Sequence, residues 1–403
     1  MSNFCEISLY FKVLLVQLNL KILLKGEGMR VNLNELKDIF KELVGIYSPS
    51  KNEKDVATYI IDYLKELDLP VYLDHSQEAY GGNTPAIFTK LEGSLDSSYT
   101  LSAHMDVVEP NKGVVIIEDD GKFKTDGTTT LGGDDKAGVA IILYALKFLK
   151  ESNLKFPTVY AIFTPAEEIG MLGAKNVNWE EVYKNMNPSK DMIVLDNGGP
   201  SKFVAHQAPT CNLFKIEVRG KKAHAGIEPE KGISSIKVIS EIISKMNLLR
   251  IDETTTANIS KLHSDFPSNV VPDCAVAEGE LRAHSYEKID EILNGYRKIC
   301  EEVCDKYGAG YNFETHNVYP LLKSKDDLAL ANRFIKAYKN IGIDAKLQII
   351  GGGSDANFFS EEGFNSIIIG VGMEKVHTTE EYLVIGEMKN SLKVLLEFFL
   401  NCN

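Results

Sequence analysis

With 403 residues the chain is too long for one compact core and implies two domains. Its formal net charge of −13 argues against nucleic-acid binding, which needs clustered Lys and Arg, and its 25% charged residues fit an ordinary soluble globular protein. The six cysteines contain no Cys-x-x-Cys pair, so thiolate-held structural zinc is not expected and free thiols in a reducing cytoplasm are.

The apolar run 9–24 is interrupted by Lys12, Gln17, Asn19 and Lys21 and is too short to span a bilayer, so no membrane association is expected. It also lacks a basic start and a small-residue cleavage site. Residues 1–28 read either as a translated leader, with Met29 the true start, or as a disordered tail. Apolar periodicity then predicts helices over 32–47 and 52–67. Short strands are expected at 70–73, 85–88 and 99–103, a helix at 136–150, and buried strands at 159–164, 192–195 and 366–370.

Between residues 208 and 322 the rhythm changes to strand (213–218), helix (233–246), two strands (254–262 and 274–283), helix (289–307) and strand (311–318). This β-α-β-β-α-β order is the ferredoxin-like split unit. The expected organisation is an α/β, mixed-sheet catalytic domain over 29–207 and 323–403, with an inserted ferredoxin-like α+β lid over 208–322. In such sheets chemistry gathers beyond the strand ends, and His104, Glu167, Asp196 and His377 each follow an apolar strand.

Each of these positions has two readings. Asp134-Asp135, after Gly132-Gly133, offers a carboxylate able to bridge two metals roughly 3.5–4 Å apart, or else a pair of helix N-caps. Capping accounts for one aspartate and poorly for the second. His104-x-Asp106 is a ligand with a carboxylate holding its other ring nitrogen, or an ordinary strand exit. Glu167-Glu168 in extended geometry point apart, so one can bind metal while the other addresses a water; alternatively both are solvated. Asp196 is a terminal ligand or a turn former. His377 is a second-metal ligand or a surface histidine. Taken together, two histidines and several carboxylates at the loop ends of one domain are poorly explained by capping and solvation. An N/O donor set without thiolate favours zinc, with cobalt or manganese as substitutes.

His104-Met105-Asp106, Leu131-Gly132-Gly133-Asp134-Asp135-Lys136-Ala137-Gly138, Pro165-Ala166-Glu167-Glu168-Ile169-Gly170, Asp196-Asn197-Gly198-Gly199 and His377 occur in one order. That order resembles the two-zinc exopeptidase superfamily of peptidase T, carboxypeptidase G, aminoacylase and succinyl-diaminopimelate desuccinylase. The Asp-Asp-Lys-Ala-Gly form is most similar to peptidase T, and the likeness covers nearly all of the chain from Met29 onward. The resemblance implies a phosphorylase/hydrolase-like fold and two Zn2+ ions. His104 and Asp196 would hold one ion, Glu168 and His377 the other, and Asp134 would bridge them. Glu167 would be the general base and Asp106 would orient His104. It also implies a cis peptide bond at Asp134–Asp135. On the lid, His224, Arg282 and Asn269 match substrate-contacting positions, and Gly353 and Ser354 lie in a glycine turn whose amides hold substrate.

What this implies functionally is amide hydrolysis of short peptides by a cytoplasmic, peptidase T-like aminopeptidase (tripeptidase), with a homodimer through the lid as one arrangement. An N-acyl-amino-acid deacylase or carboxypeptidase with the same metal centre is the alternative, and an inactive peptide-binding protein a third. Arg282 requires only that some carboxylate is bound.

Overall fold

The computed structural model describes residues 31–325 and 327–401; the leader expected over 1–28 lies outside them. Among the described residues no helix is long and apolar enough to cross a membrane.

The chain enters through two amphipathic helices, α1 (Leu33–Gly45) and α2 (Lys54–Glu66). The Asn32 side chain caps α1 by accepting from Glu35 N, and Leu36, Phe40, Leu43 and Val44 form its buried stripe. Then come β1 (Val71–Leu73), β2 (Ile87–Leu91), β3 (Leu95–His104), α3 (Gly133–Glu151), β4 (Pro157–Thr164), β5 (Asp191–Asn197) and β6 (Phe203–Ala208). A second layer set follows: β7 (Thr210–Arg219), α4 (Ser235–Lys245), β8 (Leu249–Asp252), β9 (Thr255–His263), β10 (Cys274–Ala283), α5 (Tyr286–Tyr307) and β11 (Gly310–Tyr319). The chain returns to the first sheet with β12 (Leu322–Lys323), α6 (Ala329–Asn340), β13 (Lys346–Ile349), β14 (Asn365–Gly370) and α7 (Ile385–Leu400).

The first sheet is mixed and 9-stranded, in the order β1-β2-β4-β3-β5-β14-β6-β12, with β13 beside β6. Strands β4, β3, β5 and β14 run parallel, so their carboxyl ends open along one rim, where α/β sheets gather ligands. Alternation divides their side chains. Ile193 and Leu195 face the larger core under α1, α3 and α7, whereas Met192 and Val194 face a smaller one with Phe359 and Phe364. Helix α3 is buried on all sides from Gly133 to Leu146, which its apolar composition permits. Its close approach to β5 requires Gly138, where a Cβ would stand 2.3 Å from the Leu195 carbonyl oxygen.

The second sheet is antiparallel, ordered β8-β9-β10-β7-β11, and carries α4 and α5 over its own core of Phe214, Ile216, Val218, Val238, Ile239 and Tyr296. Apart from β8 this is the ferredoxin-like order. β8 pairs with β9 as an added edge hairpin that its four-residue span did not disclose. Strands β6, β12 and β13 also carried no periodic signal. Their placement comes from pairing in the sheet.

Two placements differ from expectation. His377 does not sit at the end of β14; it lies between the short strands Met373–Glu374 and Tyr382–Val384 of a separate 4-stranded sheet. Asp196 likewise lies within β5 rather than beyond it. Because Gly138 sets the spacing between α3 and β5, Gly138→Ala should lower the unfolding free energy by about 1–3 kcal/mol in denaturant titration, through overpacking.

Candidate metal centre and active site

Three strand ends, one helix mouth and one loop bring the sequence-predicted carboxylates and imidazoles together. His104 ends β3, Asp196 lies near the end of β5, and Glu167-Glu168 follow β4. Asp134 sits at the kinked mouth of α3, with a cis peptide bond to Asp135. His377 reaches in from the small sheet with a positive φ of 63°.

Asp134 stands between the two imidazoles. Its Oδ1 lies 3.1 Å from His104 Nε2 and its Oδ2 lies 3.3 Å from His377 Nε2. Asp196 Oδ1 lies 3.7 Å from His104 Nε2, and Glu168 Oε2 lies 2.9 Å from His377 Nε2. Ligand atoms of His104, Asp134 and Glu168 all fall within 4.8 Å of one another, as do those of His104, Asp135 and Asp196. The second group brings in Asp135, but its oxygens are already engaged. Oδ1 accepts from Gly138 N at 3.1 Å and Oδ2 from His104 N at 3.3 Å, so it acts as a backbone clamp.

Electrostatics describe a cluster that wants positive charge. Burial alone would lower the His104 pKa, but hydrogen bonds to Asp106 and Asp134 override it and hold it well above the usual imidazole range. Hydrogen bonds to Asp134 and Glu168 push His377 up to about 10. Burial drives Asp196 well above the carboxylate range, and Asp134 and Asp355 reinforce the shift. The carboxylates that raise these two imidazoles would equally attract a divalent cation. Glu168 Oε1 is buried with no partner, a free lone pair beside His377. The donor set therefore fits metal ions bound through nitrogen and oxygen.

Glu167 is partly buried. Burial, followed by the charges of Asp196, Asp355 and Glu168 against that of His104, raises its pKa well above the usual value, as a general base near neutrality requires. Asp106 does more than face His104. The ring Nδ1 lies 3.0 Å from the Asp106 carbonyl oxygen and 3.4 Å from its carboxylate. That carboxylate accepts from Glu167 N at 2.9 Å, Glu168 N at 3.1 Å and Ser50 Oγ at 2.6 Å. It fixes the backbone carrying both glutamates.

Four further groups, not singled out from the sequence, complete the arrangement. Glu381 clamps the glycine turn, accepting from Leu131 N at 2.8 Å, Gly132 N at 2.9 Å and Asp134 N at 3.1 Å. Glu53 accepts from Ala166 N at 2.9 Å, holding the residue whose φ of 55° aims Glu167 and Glu168. Asp355 is bonded to Thr164 Oγ1 on one oxygen and unpartnered on the other, and burial raises it to about 7. Lys136 is fully buried, bonded to the Ile46 carbonyl, and faces the charges of Glu381 and Asp106; burial pushes its pKa down to about 7. Lys136 lay inside a quoted motif, and Asp355 directly follows Gly353-Ser354. Glu53 and Glu381 stood in ordinary polar runs with no spacing to mark them.

The expected substrate-contacting residues are placed unevenly. Ser354 lies beside Asp196. Gly353 is required by close approach, since a Cβ would meet Met171 Cε at 2.6 Å and Tyr319 Cζ at 2.8 Å. Arg282 is not a free cation. Its Nη1 donates to the Gly351 carbonyl at 3.4 Å and its Nη2 to Glu280 Oε2 at 3.2 Å. His224 and Asn269 share one small ribbon, in which Ala225 N donates to the Asn269 carbonyl at 2.8 Å. His224 is exposed and its Nδ1 accepts from Gly226 N at 3.2 Å; among the described residues no hydrogen bond joins it to the carboxylate cluster.

Comparison with known proteins agrees with this geometry. The model of Peptidase family M20/M25/M40 matches residues 100–401. The uncharacterized protein YqjE of Bacillus subtilis is 35% identical over 91% of this chain and 98% of its own. The crystal structure of aminopeptidase PepT from Bacillus cereus superposes with a TM-score of 0.86 at 31% identity, covering 92% of this chain and 98% of that one. A tripeptidase from Staphylococcus aureus superposes with a TM-score of 0.87 at 32% identity, over 92% and 98% of the two chains. Family match, fold and cluster chemistry converge on one identification: this chain belongs to Peptidase family M20/M25/M40 and is a peptidase T-like metallopeptidase.

Proposed function

We propose that the chain is a two-zinc aminopeptidase that removes the N-terminal residue of short peptides, tripeptides foremost. The observation that carries this reading is the Asp134 carboxylate, which offers one oxygen to His104 and the other to His377, at 3.1 and 3.3 Å. In this reading His104 and Asp196 hold one cation, Glu168 and His377 the second, and Asp134 joins them. Zinc is favoured by the imidazole and carboxylate donors and the absence of thiolate from the cluster. When bound, the cations acidify a water and polarise the scissile carbonyl.

The chain's own groups do the rest. Glu167 takes the proton of the attacking water and returns it to the leaving amine, a task its raised pKa supports. Asp106 keeps Glu167 and Glu168 in register through their backbone amides. Arg282 receives the peptide's terminal carboxylate, and the ribbon bearing His224 and Asn269 covers the bound substrate.

The glycine turn, with Ser354 beside Asp196 and Gly351 against Arg282, brings a carboxylate-binding group near the candidate metal centre, which suits a short peptide such as a tripeptide. The similarity to the Staphylococcus aureus tripeptidase supports the same substrate class.

Glu167→Gln should keep its full metal content by elemental analysis while turnover falls by about 10²–10⁴-fold. Near-normal turnover in that metal-loaded variant would remove Glu167 from the role. Chelation should abolish hydrolysis and zinc, cobalt or manganese restore it, while His377→Ala should lose one of the two bound metal equivalents. Side by side, tripeptides with a free amine should be cleaved and their N-acylated counterparts left intact. Preference for the blocked peptides would instead establish a deacylase or carboxypeptidase.

A further inference from the structure

Arg282 carries an internal occupant. Its Nε stands 3.0 Å from Glu280 Oε1 and its Nη2 donates to Glu280 Oε2 at 3.2 Å, so a carboxylate of the chain itself lies against the guanidinium edge. The fit is incomplete. Arg282 Nε is buried with no aligned acceptor, and beside it the Tyr319 hydroxyl is buried without a partner. Cys211 Sγ lies 4.0 Å from Glu280 Oε2, and the Gly353 turn packs against the Tyr319 ring. A guanidinium has five donors and matches a carboxylate best as a two-bond fork, which the present pairing does not achieve.

Glu280 also has somewhere to go. It lines a groove of about 580 Å³ on the open face of the lid sheet, shared with Lys215, Glu278 and Glu314. Lys215 lies across the strand pair from Glu278 and offers a cation to a displaced Glu280. Glu280 and Arg282 side chains keep 36% and 32% of their exposure, and a pair this exposed is weak enough to be broken by a better-fitting partner.

We propose that Glu280 is a specificity-determining residue: a resident carboxylate that occupies Arg282 and yields it when the terminal carboxylate of a short peptide arrives. This rests on the peptidase reading above and deepens it. While seated, Glu280 keeps the subsite electrically neutral, which admits an uncharged peptide end at little cost. It also lowers affinity for carboxylate ends below what Arg282 alone would give. Glu280 thereby sets the ratio between the two.

Glu280→Gln removes the competing charge and leaves one acceptor for Nη2. A tripeptide and its C-terminal amide, assayed on the metal-loaded full chain, report the effect. KM for the free acid should fall about fivefold, the scale of one like charge removed at contact distance, with the change confined to KM. KM for the amide should stay put. Arg282→Gln should erase the difference between acid and amide. An unchanged or raised KM for the acid, or equal shifts for both peptides, overturns the role of Glu280. Failure of the wild-type protein to cleave any short peptide with zinc, cobalt or manganese overturns the peptidase reading instead. Calorimetric titration of both peptides into Glu167→Gln, with and without Glu280→Gln, then reads the Glu280 effect apart from turnover; equal affinities overturn it there too.

Discussion

Convergence of like charge governs this molecule. Asp134, Glu167, Glu168 and Asp196 meet at one rim of the sheet, and Asp106, Asp135, Asp355, Glu381 and Glu53 stand directly behind them. Buried carboxylates left unpaired either take up protons or destabilise the fold. Here the front group is compensated by His104 and His377, and in the functional reading by cations. The rear group is compensated by backbone amides and by Lys136, which is fully buried and feels the charges of Glu381 and Asp106.

The rear carboxylates share a single device. Asp106 grips two amides of the Glu167 loop, Glu53 grips the residue before it, Asp135 grips the start of α3, and Glu381 grips three donors of the glycine turn. The segments that bear Asp134, Glu167-Glu168 and His104 are therefore each tied to a buried anion on another segment. Hydrogen bonds to an ionised acceptor are roughly twice as strong as neutral ones. Such ties hold front atoms within the few tenths of an ångström that metal coordination tolerates. The positive φ values at Ala166 and His377 belong to the same scheme, since both residues are turned by their surroundings to aim a ligand.

What was legible in the sequence follows this division. His104, Asp134, Glu167, Glu168 and Asp196 could be read because each adjoins an apolar strand or helix whose periodicity announces it. The ferredoxin-like order of the lid was legible for the same reason, through the amphipathic helices α4 and α5. His377 was recognised by motif order, yet its supporting element was misplaced, because strands of two or three residues leave no period. Glu53 and Glu381 were invisible. Their importance comes from amides more than a hundred residues away, and no local pattern encodes a contact of that range.

The same logic explains why chemistry is better specified than substrate. His104, Asp196, Glu168 and Asp134 stand at strand ends and a helix mouth of the first sheet, where sheet pairing and helix packing fix the backbone. Arg282 and Glu280 instead project from β10 on the open face of the lid sheet, where alternation fixes the side of the sheet and little else. A carboxylate two residues from an arginine on that face reads in sequence as an unremarkable surface ion pair. Only the glycine turn pressed against it, with Ser354 at one end beside Asp196 and Gly351 at the other under Arg282, turns it into part of a site. In the proposed reading, the charge accepted at the substrate's far end is set by Glu280, which stands on a different sheet from the candidate metal ligands.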